Sequence, residues 1–283
     1  MAVGPPDLRF DLVVATVGRT AELEALLRSL AEQTYRRFRL VVVDQNTDDR
    51  VTELLSAHDE LDVLHLRSPR GLSRARNAAL PSLTADLVAF PDDDCRYDPG
   101  LLERVAGQFA EDPELGGLSG RAVAADGSHD ASWEAEPAVL DSENLWNRVI
   151  SFSIFLRRSL VERVGSFDER LGLGAGSPWS SGEEVEYVLR AIRTGARIEY
   201  DPGLTVIHAR KVYSQAALRA VGLRDGASVG WILRRHGYGP RTMGRMLARP
   251  LGGIGVSLLR GDVGRAGFHA ATLVGRVRGY LRF

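Results

Sequence analysis

Residues 11–49 read DLVVATVGRTAELEALLRSLAEQTYRRFRLVVVDQNTDD, and three patterns follow one another within them. Leu12-Val13-Val14-Ala15 is a short unbroken apolar run, as a strand covered on both faces requires. Thr20 then opens a helical period, with Leu23, Leu26, Leu27 and Leu30 at three- and four-residue steps. Leu40-Val41-Val42-Val43 is a second covered strand that ends at Asp44. A strand, a crossover helix and another strand predict parallel pairing with a helix laid on the sheet.

The alternation continues outward. Val51, Leu54 and Leu55 mark a second helix and Val63–Leu66 a third strand. Ser73–Leu80 reads as a short helix stopped by Pro81, Leu87–Phe90 as a fourth strand, and Leu101–Phe109 as a helix. The expected fold is α/β: a mostly parallel, Rossmann-like sheet flanked by helices. Beyond it the pattern is less regular. The stretch 116–133 is rich in Gly, Ala and Ser; Ser151–Leu156 reads as a strand and Leu160–Val164 as a short helix closed by Gly165. Leu171–Ser177 (LGLGAGS) reads as a flexible loop, a candidate lid with glycine hinges. Ser181–Thr194 is a helix with Val185, Val188, Leu189 and Ile192 on its apolar face; Ile198–Tyr200 and Leu204–Ile207 read as two strands. From Ser214 onward the pattern is helical and basic.

Composition narrows the classes. With 283 residues, 44% hydrophobic and 26% charged, the chain is neither disordered nor collagen-like. Cys95 is the only cysteine, which excludes an internal disulfide and a cysteine-based zinc site. The net charge of −1 hides a split: residues 232–283 carry ten arginines and a single acid, Asp262. The opening MAVGPPDLRFD has no basic-then-apolar leader, and no run of about 18 apolar residues exists, so a cytoplasmic chain without a spanning helix is expected.

Ligands of open α/β sheets bind at the carboxyl ends of the strands, and the polar clusters fall there: Thr16–Arg19, Asp44–Asn46 and Asp92–Asp94. Three successive carboxylates repel one another unless a cation is present, and oxygen ligands suit Mg²⁺ or Mn²⁺; the plain reading is an acidic turn. His208, at the end of a late strand, is a candidate ligand through a neutral ring nitrogen or else an ordinary packed histidine. Asp44 is a turn residue or an acceptor for a base N–H or a ribose hydroxyl. Gly71–Asn77 (GLSRARN) puts Arg74 and Arg76 in a first helical turn, facing a diphosphate or solvent. Ser181-Gly182-Glu183-Glu184 has the spacing of a capping box; read functionally, one glutamate is a general base kept ionised by the helix N-terminus. Trp179 is a platform for a sugar acceptor or a plug beneath the glycine loop.

In order, VVATVGR (13–19), VVVDQNTDD (41–49), GLSRARNAAL (71–80), AFPDDDCRYDPGLLERV (89–105), FLRRSLVERVGSFDERLG (155–172) and GEEVEYVLRAIRTGARI (182–198) resemble the inverting, GT-A-fold glycosyltransferases of family 2 over about residues 8–210. The resemblance implies a metal-dependent transfer of a sugar from a nucleoside diphosphate sugar, UDP-linked before GDP- or dTDP-linked, to a hydroxyl acceptor in cell-surface glycan or glycolipid synthesis. It assigns Thr16, Arg19, Asp44, Arg76, Asp92 and Asp93 to the sugar nucleotide and Asp94 with Asp92 to Mn²⁺ or Mg²⁺, with His208 as a further ligand. Glu184 and Glu183 stand where the family has Glu-Asp, so both are base candidates, Glu184 first. The first strand has Ala15-Thr16 where Pro-Thr is frequent.

The domain reading is a GT-A domain over 1–213, with a nucleotide-binding half (8–110) and an acceptor half (111–213), followed by a helical, Arg-rich segment at 214–283. There Ile254, Val256, Leu258, Leu259, Phe268, Leu273 and Val274 interleave with arginine, which suits an anionic membrane at the inner face of the plasma membrane and a lipid-linked or glycan acceptor. A helical appendage that packs on the domain or dimerises is the other reading. Nucleic acid is not an expected partner. The rival functions are an inactive family member or membrane-binding scaffold, and a sugar nucleotidyltransferase, which would want a G-x-G-x-R loop and a lysine that VATVGRTAE lacks.

Overall fold

The computed structural model describes residues 7–129, 133–209 and 213–282. The opening residues 1–6 and residues 130–132 of the glycine-rich stretch lie outside the described residues. The chain divides into two compact units, one of Met1–Arg70, Arg74–Phe167 and Tyr187–Arg210, the other of Gly71–Ser73, Asp168–Glu186 and Lys211–Phe283.

The first unit is built on a nine-stranded sheet among the described residues. Its strands are β1 (Phe10–Thr16), β2 (Phe38–Asp44), β3 (Val63–Arg67), β4 (Leu87–Ala89), β5 (Cys95–Arg96), β6 (Leu115–Val123), β7 (Ala138–Val139), β8 (Ile154–Arg157) and β9 (Arg197–His208). They run in the order β3-β2-β1-β4-β8-β6-β9-β5, with β7 beside β9. The first four strands pair in parallel, as the alternation predicts. Beyond them the sheet is mixed: β8 is antiparallel to both β4 and β6, while β6 and β9 are parallel. Helices α1 (Thr20–Ala31), α2 (Arg50–Leu55), α3 (Leu72–Ala79), α4 (Leu101–Glu111) and α5 (Arg158–Val164) supply the flanking layers.

The apolar runs of β1 and β2 are buried because helices cover the sheet; Leu23, Leu26, Leu27 and Leu30 of α1 lose all exposure. Asp11 is the charged exception in β1. Its Oδ1 accepts from Arg39 Nε (2.9 Å) and its Oδ2 from the amides of Thr84 and Ala85 (2.7 and 2.9 Å), so the buried charge is compensated. Cys95 in β5 is a buried free thiol.

One stretch without a reading gains an element, and two expectations are corrected. The glycine-rich stretch holds β6, a full strand. A Cβ at Gly117 would sit 2.6 Å from the Leu156 side chain and one at Gly120 would fall on the Leu204 carbonyl oxygen, so close strand approach demands glycine and erases the apolar signal. Ser151–Ser153 is a 3₁₀ turn that precedes β8 rather than part of a strand. The two strands expected at 198–207 are the single strand β9, which pairs with β6 across a register shift at Ser119/Arg121.

The second unit is helical. It contains α7 (Gln215–Arg235), α8 (Pro240–Leu259), α9 (Val263–Leu281) and the first turn of α6 (Glu183–Arg193), whose remainder belongs to the sheet unit. Helices α7 and α9 pack backbone to backbone: a Cβ at Gly230 would fall on the Arg276 carbonyl oxygen, and one at Gly279 on that of Ala227. Pro250 lies inside α8 and has no N–H for the Met246 carbonyl. Arg276 of α9 donates through Nη1 to that oxygen. Burial, with Arg249 nearby, pushes the Arg276 pKa down to about 10.

Candidate functional site

The carboxyl ends of β1, β2 and β4 meet at one rim of the first unit. Asp92 follows β4 and forms a bridge with Ala15, so the aspartate triplet lies beside the end of β1. Asp92 Oδ1 accepts from Arg76 Nη2 (3.2 Å) and Ser151 Oγ (3.1 Å). Both bonds fall on one oxygen, which leaves Oδ2 for a further positive partner. Arg76 is 1% exposed and rests on the rings of Phe90 and Phe167, 5.8 and 5.4 Å from their centroids. It reaches the rim from below and positions Asp92, while Arg74, its companion in the first turn, is exposed.

Asp93 turns inward. Its Oδ2 accepts from Thr16 Oγ1 (2.8 Å) and its Oδ1 from Arg19 Nη1 (2.9 Å), and the same nitrogen lies 2.8 Å from Asp94 Oδ2. Burial pushes the Asp93 carboxyl above its ordinary range, against the opposing pull of Thr16 and Arg19. For Arg19, burial opposes the charge but Asp93 and Asp94 outweigh it, so its pKa is raised. Thr16 and Arg19 therefore organise the acidic turn. Asp94 Oδ1 faces His208 Nε2 at 3.1 Å, and the His208 ring stacks on Phe152 at 4.8 Å and 3°.

Asp92, Asp94 and His208 each offer a ligand atom within 4.8 Å of the others. In an octahedral shell with bonds of about 2.1 Å, neighbouring ligand atoms stand about 3.0 Å apart and opposite ones about 4.2 Å, so the three side chains would draw closer together around one ion. Two carboxylates and an imidazole suit Mn²⁺, and Mg²⁺ with less help from the nitrogen. The residues present fit the group.

Asp44 is fully buried. Its Oδ1 accepts from the amide and side chain of Asn46 (2.8 and 2.7 Å), and its Oδ2 faces Arg67 Nη1 (3.0 Å) and His65 Nε2 (3.3 Å). Asn46 Oδ1 in turn accepts from the Gly18 amide at 2.8 Å, which ties the loops after β1 and β2 together.

The second unit carries the remaining candidates. Ser181 does not cap α6: its hydroxyl donates to Ser228 Oγ (3.1 Å), and Gly182, with φ +77°, supplies the carbonyl that accepts from the Glu186 amide. Glu183 is buried, with its carboxylate against Gly172; Glu184 is half-exposed on the first turn. The 171–177 loop is anchored rather than loose: Ser73 Oγ donates to the Leu171 carbonyl and the Leu72 amide to the Leu173 carbonyl, both at 2.8 Å. Trp179 has two kinds of neighbour. One side packs on buried Trp231 at 5.3 Å, while the ring also lines a cleft of about 280 Å³ with Leu223, Arg224, Ala227 and Arg278.

The sequence offered no signal for Ser151, which reaches the acidic turn from 59 residues beyond Asp92, or for Phe152, which stacks on His208. Asn46 was visible only as one of several polar residues after β2.

The Glycosyl transferase family 2 model matches residues 11–168. The chain belongs to this family. Among curated family 2 relatives, the pre-mycofactocin glycosyltransferase of Mycobacterium tuberculosis is 30% identical over 249 residues, 83% of this chain and 47% of the relative, so the chain spans about half the relative's length. Solved folds agree. A mannosyltransferase from Pyrobaculum calidifontis, in complex with GDP-Man and Mn²⁺, superposes with TM-score 0.64 at 18% identity, covering 97% of this chain and 88% of that one. S. aureus TarS 1-349 in complex with UDP-GlcNAc gives 0.57 at 16% identity, covering 96% and 92%. The fold of this chain is thus that of the GT-A glycosyltransferases, and family membership sets aside the sugar-nucleotidyltransferase alternative.

Proposed function

We propose that this family 2 chain transfers a sugar from a nucleoside diphosphate sugar to a hydroxyl acceptor by a single displacement that inverts the anomeric carbon. The observation that carries the reading is the Asp92–Asp94–His208 group at the carboxyl end of β4. When bound there, Mn²⁺ or Mg²⁺ supplies positive charge for the departing diphosphate.

The chain's own residues do the rest. Arg76 and Ser151 hold Asp92, and Arg19 holds Asp93 and Asp94 in register, so little reorganisation remains when the donor arrives. Asp44 and Asn46 fix the loops that would receive the nucleoside. Glu184 is the group that takes the acceptor's hydroxyl proton, and its partial exposure leaves it accessible. Glu183, buried against Gly172, supports the turn. A glycan or lipid-linked acceptor would use the ring of Trp179.

A thermal-shift panel of UDP-, GDP- and dTDP-sugars, each with and without Mn²⁺, tests this. UDP-sugars are the expected donors; GDP-mannose is the main comparison because a solved neighbour holds it. One donor should raise the midpoint only when metal is present, since binding to the folded state alone stabilises it. No metal-dependent shift with any donor would overturn the reading.

A further inference from the structure

Eleven large apolar side chains stand exposed among the described residues, and eight of them fall between Leu251 and Leu281. They are not scattered. Leu251–Leu259, the second half of α8, contains no charged residue. At the turn into α9, Leu258 is 56% exposed, Leu259 90% and Val263 62%, with Arg260 and Arg265 exposed beside them. Along α9, Val274, Val277, Arg278 and Leu281 are exposed at steps of three and four, which is one face of a helix.

These side chains are not needed for packing. The inner side of α8 is filled by Thr242, Met246, Pro250 and Ser257, and that of α9 by Gly264, Ala266, Gly275 and Gly279. Single exposed leucines are ordinary, but a contiguous apolar patch of this kind marks a surface that a second environment covers. The charges identify that environment. Ten arginines stand against one acid in this segment, and Asp262 is already engaged as the α9 cap through the Arg265 amide at 2.8 Å. Two copies of so basic a face would repel. A nucleic acid would answer the arginines but not the leucines. No described helix is long and apolar enough to cross a membrane.

We infer that the α8–α9 hairpin docks on an anionic phospholipid bilayer, with Leu258, Leu259 and Val263 inserted below the headgroups and Arg260, Arg265 and Arg278 at the phosphates. Amphipathic cationic helices bind in this way, lying in the interface rather than spanning it.

The test is co-sedimentation of the full chain with vesicles of phosphatidylcholine alone or mixed with phosphatidylglycerol, and it needs no sugar donor. The chain should pellet with the mixed vesicles, far less with neutral ones, and less again at high salt. The triple variant Leu258→Asp, Leu259→Asp, Val263→Asp should lower partitioning by about tenfold or more while its circular-dichroism melt stays that of the parent. The more conservative Leu259→Ser should show the same trend if the triple variant misfolds. Equal pelleting of a folded variant and the parent would overturn the inference. So would a parent that dimerises by light scattering, loses the dimer in the variant and never pellets, because the face would then belong to a second copy.

Discussion

Arg76 Nη2 lies 3.2 Å from Asp92 Oδ1, and the arginine that makes this bond is 1% exposed. A buried guanidinium paired at the rim of a sheet fixes one carboxylate of three without taking up space above it. Arg76→Ala should therefore cost about 3–5 kcal/mol, since it strips compensation from Asp92 and leaves a void between Phe90 and Phe167. Arg76→Lys keeps the charge but not the planar fork and should recover only part of the loss. Urea unfolding of both variants checks this.

Asp94 faces both Arg19 and His208, and it is the carboxylate on which the metal reading most depends. Asp94→Asn should abolish the Mn²⁺-dependent part of the donor thermal shift and lower transfer on the order of 10²–10³-fold. The metal-free melting temperature should change little. A variant that keeps its metal-dependent shift would refute the ligand assignment.

Glu183 and Glu184 are neighbours in the chain with different surroundings, one buried and one half-exposed. Glu184→Gln should leave donor binding intact and lower kcat by about 10²–10⁴-fold, the range for loss of a general base. Glu183→Gln should mainly lower the melting temperature. The reverse pattern, read from kinetics and thermal denaturation side by side, would move the base to Glu183.

His58 gives the pH dependence. Its Nε2 faces Glu24 at 2.9 Å and its Nδ1 faces Glu60 at 3.2 Å. Burial pulls its pKa down, but the two carboxylates outweigh it and the net shift is upward from 6.5. A raised histidine contributes stability that is complete below the unfolded value and is lost as pH climbs through the folded one. Denaturant midpoints should therefore fall as pH climbs from 6.5 through the raised folded-state value, and His58→Gln should flatten that decline.

The legible parts of the fold were β1, β2 and β4, where burial on both faces forces unbroken apolar runs, with α1 between the first two, and the half-buried edge strand β3, read from Val63, Leu64 and Leu66. Strand β6 was illegible because Gly117 and Gly120 hold it close to its neighbours, and glycine carries no hydrophobic signal. The antiparallel insertion of β8 was hidden because periodicity does not encode strand order. In the candidate site, the aspartate triplet and His208 were readable one by one, and the structure brings them to one rim. The inward turn of Asp93, the Ser151 bond and the Phe152–His208 stack depend on contacts between distant segments, which no local spacing reveals.

Cys95 is sealed in β5, so the surface offers no native thiol to a labelling reagent. Any cysteine introduced outside would be the single reactive handle on the chain. An environment-sensitive fluorophore at position 259 would then report immersion depth in a bilayer, and a second dye partner on lipid headgroups would turn the hairpin into a ruler.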